Sequence, residues 1–203
     1  MHEYTLNNHD RKKTYYILFL ISGLLSALAS YCIGLLYDSF NISVAAPSGI
    51  AIFFLTFLLF DLFIWKFKIF YNLGIIRIPY IAGTWDGIVS SSDTENSRVI
   101  FTIHQTYSRI KIRLETETKT SHSMSKMASL QMEDPTFFSL RYEYLAEYKP
   151  TPESDPLRHY GVTNIILKSN NDSFDDEQLA TYYTESKRDT HGELKLVRKI
   201  EKS

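Results

Sequence analysis

The sequence has a single cysteine, Cys32, which supports neither a disulfide framework nor a thiolate metal site. It has no phosphate-cradling glycine loop, no His-Glu-x-x-His helix, no nucleophile elbow and no Cys/His pair at metal-ligand spacing. The six histidines, His2, His9, His104, His122, His159 and His191, are scattered. These absences argue against enzyme chemistry and against a resident cofactor. A formal net charge of −1, with no broad basic patch, argues against a nucleic acid polymer as partner. Charge is also absent locally. No Asp, Glu, Lys or Arg occurs from Thr14 to Tyr37, and only Asp61 interrupts Val44 to Trp65.

Those two uncharged runs are what the chain has in their place, and the whole-chain averages conceal them. Divided at Pro79, the sequence carries six Lys/Arg and four Asp/Glu before that point and sixteen and nineteen after it. The first part is dominated by long apolar runs, the second by short alternating segments and polar turns. The expected organisation is therefore a 1–78 segment with an N-terminal tail and two membrane-spanning helices, about 14–37 and 44–66, followed by a 79–203 β domain.

As a helix, "TYYILFLISGLLSALASYCIGLLY" reaches ~35 Å, enough for a hydrocarbon core of about 30 Å. "VAAPSGIAIFFLTFLLFDLFIW" is long enough as well, with Pro47 near its start, and the short "DSFNIS" link makes the pair a hairpin. A cleaved signal peptide fits less well, because the first run exceeds the usual signal core and a second run follows at once. A lipoprotein signal ending at Cys32 would place Tyr31 where a small residue is needed. Arg11, Lys12 and Lys13 precede the first helix, Lys66, Lys68 and Arg77 follow the second, and the link has no basic residue. By the positive-inside rule both ends, and with them the β domain, are cytoplasmic.

Ser22, Ser26, Ser30 and Gly34 recur every fourth residue on the first helix, a small-residue stripe that lets helix backbones approach closely in lipid. It serves either to dock the two helices of one chain or to join chains. Asp61 lies about one turn inside the basic flank, where it is a polar contact between helices, a pore-lining group or a headgroup-level partner of Lys66 or Lys68.

After Gly83 the period changes to two. "GTWDGIVSS" is followed by "SRVIFTIHQ", with Val99, Phe101 and Ile103 on one face, and by "YSRIKIRLETE", with Ile110, Ile112 and Leu114 opposed to Arg109, Lys111 and Arg113. "SHSMSKMASLQ", "TFFSLRYEYLAE", "HYGVTNIILKS", "LATYYTESK" and "GELKLVRKI" complete eight strands, with the Pro-rich loop "KPTPESDP" between the fifth and sixth. Eight short strands suit a small antiparallel up-and-down β-barrel, whose closure removes its edges; an open sandwich is the alternative. Trp85 reads as core; a resemblance to lipocalin-like barrels implies that it plugs one end, with Arg198 of the last strand over its ring.

With "AGTWDGIVSS", "LRYEYLAEYKP", "HYGVTNIILK" and "LATYYTESKRDTHGELKLVRK" in this order, the whole chain resembles the two-transmembrane, β-strand-rich effectors of CBASS antiphage systems. Those effectors accompany CD-NTase cyclases and join a membrane hairpin to a minimal, lipocalin-like eight-stranded barrel. Ala180 departs from the glycine expected before the tyrosine, and Tyr160 lies where His159 supplies the histidine that stands two before Gly161. The resemblance implies that the barrel binds a cyclic dinucleotide made by the partner cyclase upon infection. Binding then drives oligomerisation of the hairpins, disruption of the bacterial inner membrane and death of the infected cell.

Such a ligand has two phosphates and two bases, so it needs cationic or N–H donors and aromatic faces. Tyr142, Tyr144 and Tyr182 are the candidates for stacking, Arg158 and Arg188 for phosphate, and His159 and Thr190 for hydrogen bonds. Two functions compete with the effector reading: a structural membrane anchor with no ligand, and a membrane-anchored, lipocalin-like carrier or sensor of an apolar small molecule. The polar, tyrosine-rich strands weigh against the carrier, since an apolar ligand needs an apolar pocket.

Overall fold

The computed structural model describes residues 1–7, 9–40, 45, 47–92, 96–118, 121–134, 136–148, 158–169, 174, 176–185 and 189–199. The chain forms two compact units, His9–Ile78 on one hand and Met1–Asn8 together with Pro79–Ser203 on the other.

The helical unit contains α1 (Arg11–Phe40), α2 (Gly49–Leu62), a 3-10 turn (Ile64–Lys66) and α3 (Lys68–Asn72). Among the described residues, only α1 is long and apolar enough to cross a membrane. The second apolar run, expected to span as one helix over about 44–66, is shorter. Ser48 caps α2 by accepting the Ala51 amide at 3.2 Å, and at Phe63 the backbone leaves the helical region with φ −130° and ψ −51°. Fourteen residues reach only ~21 Å, less than the ~30 Å hydrocarbon core. The two helices pack through Tyr15 on Phe57 and Phe19 on Phe53, both edge to face, with ring centroids 5.6 and 6.1 Å apart. Trp65, Phe60 and Asp61 are buried.

The β unit contains β1 (His2–Leu6), β2 (Gly83–Ser91), β3 (Ser97–Gln105), β4 (Arg109–Thr116), β5 (Ser121–Asp134), β6 (Phe137–Tyr148), β7 (Arg158–Lys168), β8 (Gln178–Thr184) and β9 (His191–Arg198). Each of the eight expected segments forms a strand, β2 to β9, and consecutive strands pair antiparallel. Pairing of β2 with β9 closes the order into a barrel. The ninth strand corrects the expected count. Residues assigned to an N-terminal tail form β1, which pairs antiparallel with β4 and parallel with β5. Its signal was hidden, because five residues with one buried apolar side chain, Tyr4, make no readable alternation. The "KPTPESDP" loop lies outside the described residues.

Alternation along the strands places large apolar residues inside at one end. Trp85 is fully buried there, beside Phe174 at 6.3 Å, and Phe174 meets Phe138 at 6.1 Å. Gln178 holds the neighbouring loop through Lys168 and the Asp176 carbonyl. The Arg198 guanidinium lies 5.7 Å from the Trp85 ring centroid and donates to the Ala82 carbonyl at 2.6 Å. That bridge explains the glycine of the Gly-x-Trp. Gly83 adopts φ +143°, and a Cβ there would meet Arg198 Nε at 3.3 Å. Truncating Trp85 would cost about 3–5 kcal/mol, as for other buried aromatics.

Candidate ligand pocket

Toward the other end, the inner positions of the same strands change from large apolar residues to hydroxyl-bearing ones. Ser91, Ser97, Thr116, Ser121, Ser123 and Thr184 take places that Trp85, Phe101, Ile112, Leu130 and Ala180 fill below them. Small side chains leave space. The result is a cavity of about 340 Å³, within the size range of small-molecule sites and near its lower end. It lies at the end of β2 opposite Gly83, where Ser91 contributes to its wall.

One wall is aromatic. Tyr142 lies 6.1 Å from Phe101 and 6.1 Å from Tyr144; Tyr144 meets His159 edge-on at 6.2 Å, and His159 stacks on Tyr148 at 5.4 Å. Two glycines make room for this wall. Tyr144 pairs with Gly161 and Tyr182 with Gly192, and at each glycine an added Cβ would collide with the tyrosine ring. Burial raises the Tyr142 phenol above its ordinary pKa, opposed by its hydrogen bond with Thr163. Tyr142 therefore remains a neutral hydroxyl. On the facing hairpin the Thr190 amide donates to Thr184 Oγ1 at 3.0 Å, the two hydroxyls are 3.0 Å apart, and the Thr184 amide donates to the Thr190 carbonyl at 2.9 Å.

Five of the seven residues expected to bind ligand thus line one cavity: Tyr142, Tyr144, His159, Tyr182 and Thr190. Arg158 does not. Strand alternation turns it outward, where its guanidinium pairs with Glu147 at 3.0 Å and stays 71% exposed. Arg188 lies outside the described residues. Among the described residues the lining has no Lys, Arg, Asp or Glu, so hydroxyl donors face any anion held there. The sequence reading missed the hydroxyl ring and Tyr148, although the switch to Ser and Thr at alternate strand-end positions was there to be seen.

A family model described as Cap15, cyclic dinucleotide receptor domain, matches residues 76–198. The chain belongs to this family. The match covers β2 to β9 and so every described residue of the cavity; β1, α1 and α2 lie outside it. The resemblance to CBASS effectors drawn from the sequence motifs holds at this level, and the β domain is a cyclic dinucleotide receptor domain. No curated protein matches the chain. Within the Cap15 receptor domain, Gly161 and Gly192 acquire a physical role as the bare backbone on which the pocket tyrosines lie.

Proposed function

We propose that the protein is a membrane effector rather than an enzyme, gated by a cyclic dinucleotide from a CD-NTase cyclase and needing no cofactor. Occupation of the receptor domain drives homo-oligomerisation through the apolar helices, disrupts the bacterial inner membrane and kills the infected cell. The observation that carries this reading is the hydroxyl-lined, tyrosine-walled cavity inside a receptor domain of this family. Tyrosine faces stack on bases without demanding one base in particular, and Ser and Thr hydroxyls donate to phosphate oxygens. In this reading α1 crosses the bilayer, α2 and the Ile64–Lys66 turn bring the chain back, and the basic flanks hold both ends in the cytoplasm.

The test uses the full-length protein in liposomes of phosphatidylethanolamine and phosphatidylglycerol and a panel of cyclic dinucleotides. A binding member stabilises the receptor domain by ~2.7 kcal/mol at a hundredfold excess over its dissociation constant. The same member releases an encapsulated dye. A melting shift with a fatty acid and none with any dinucleotide would replace this reading with the apolar-carrier one.

A further inference from the structure

We infer that β1 is a second attachment of α1 to the receptor sheet, and that ligand occupancy reaches the helices through it as well as through Pro79. The inference rests on the ligand reading above. It starts from a fork. β4 and β5 pair directly only where Arg113, Leu114 and Glu115 face Met124, Ser123 and His122. Beyond that stretch β1 lies between them, His2 and Glu3 against Ile110 and Arg109, and Tyr4, Thr5 and Leu6 against Ala128, Ser129 and Leu130.

Ser125 stands at the fork. Its hydroxyl accepts the Ile112 amide at 2.9 Å and is hydrogen-bonded to His2 Nε2 at 2.7 Å, and the β5–β6 register shifts between Ser125 and Met127. Two residues away, Ser123 lines the cavity, as does Leu114 opposite it. The paired part of the seam is thus pocket wall, and the open part is the seat of β1.

The seat holds β1 firmly. Tyr4 is 2% exposed, and its hydroxyl donates to the Tyr107 carbonyl at 3.1 Å. Asn7 Oδ1 accepts the Met132 amide at 2.9 Å. The second attachment meets the first at one place. Gln105 donates to the Pro79 carbonyl at 3.1 Å, accepts the Ile81 amide at 2.9 Å and reaches the Tyr4 hydroxyl at 3.4 Å. Pro79 and Tyr4 are therefore both bonded to Gln105, the last residue of β3. Residues 7–10 are all that separate β1 from α1, and four residues span at most ~14 Å even fully extended. A tether of four residues limits how far the seam can move without displacing α1. β1 lies outside the 76–198 match, so this attachment belongs to the chain beyond its receptor domain.

Cys32 on α1, the single cysteine and exposed, reports on the helix without a further mutation. In full-length protein reconstituted in liposomes, the spectrum of a nitroxide on Cys32 is expected to change when the cyclic dinucleotide with the largest melting shift is added. Inserting about six Gly/Ser residues between Asn8 and His9 supplies slack without touching the pocket or either packed unit. That variant should bind with unchanged affinity and lose the Cys32 response. Thr5→Pro, which unpairs β1 from Ser129, should lose the response too while lowering the melting temperature. An insertion variant that responds like the unaltered chain overturns the inference, as does an unaltered chain that binds ligand with Cys32 silent. Failure of every dinucleotide to bind overturns the ligand reading itself, and the inference with it.

Discussion

Tyr144 lies across Gly161 of the neighbouring strand, so close that a Cβ built on the glycine would stand 2.8 Å from Tyr144 Cε1 and nearer still to Cζ and Oη. Tyr182 lies likewise over Gly192, where an added Cβ would meet the Ser90 carbonyl oxygen first and then Cε1 and Oη of Tyr182, each 2.8 Å away. An inward tyrosine normally fills the space above its own strand. Laid over bare backbone, these two rings become wall, and the cavity stays open between them.

Gly161→Ala should therefore push the Tyr144 ring into the cavity. The expected result is a loss of dinucleotide affinity of about tenfold or more, with a destabilisation of about 1–3 kcal/mol from overpacking. Tyr144→Ala removes the atoms that clash, so the double variant should be less destabilised than the sum of the two single variants. Melting curves of the four proteins check this. Strict additivity would show that the ring does not depend on the glycine.

Arg158→Ala should leave affinity unchanged and alter stability by no more than ~1 kcal/mol, because an exposed ion pair such as that with Glu147 contributes little. Arg188→Ala should weaken binding by more than Arg158→Ala does. Titration calorimetry of both variants decides it, and a large effect at Arg158 would require its side chain to swing from the outer face into the mouth of the pocket.

The strands of the receptor domain were legible because period two is a local signal, and Val99, Phe101 and Ile103 state it without ambiguity. Arg158 and His159 show where the reading fell short. They are adjacent, the alternation sends them to opposite faces, and a ligand argument built on residue type alone kept both. The hydroxyl ring was overlooked for a different reason. Each Ser or Thr is unremarkable on its own strand, and only closure of the sheet gathers them around one volume. β1 was out of reach altogether, since what makes His2–Leu6 a strand is the seam between β4 and β5, more than a hundred residues away.

The buried Tyr142 phenol carries a pH signature. Its pKa is raised in the folded protein, so above about pH 10 the unfolded chain gives up this proton before the folded one does. The unfolded state then binds fewer protons, and stability falls with rising pH. This contribution is fully present below the ordinary tyrosine range and is lost progressively as pH rises from there toward the raised value of the folded protein. Melting temperatures should hold steady from neutral pH upward and decline beyond about pH 10. Tyr142→Phe should start lower, having given up the hydrogen bond with Thr163, and decline less steeply. Parallel declines for the two proteins would assign the alkaline loss to other groups.

The small-residue stripe of α1 divides in two. Ser22 is buried and donates to the Phe19 carbonyl at 2.7 Å, and Ser26 Oγ lies 3.6 Å from where a Cβ on Gly49 of α2 would stand. That end docks the two helices within one chain. Ser30 and Gly34 are exposed, with open space around a Cβ at Gly34, and small residues left uncovered on an apolar helix permit close approach of a second one in lipid. Ser26→Leu should therefore disturb α1–α2 packing and reduce membrane insertion, as read by fractionation. Ser30→Leu combined with Gly34→Leu should insert normally and bind dinucleotide with unchanged affinity. It should fail to release dye from liposomes, because bulky side chains hold neighbouring backbones apart. If that double variant inserts, binds and still releases dye, the stripe has no part in assembly, and Asp61, buried in the last turn of α2, becomes the residue to substitute next.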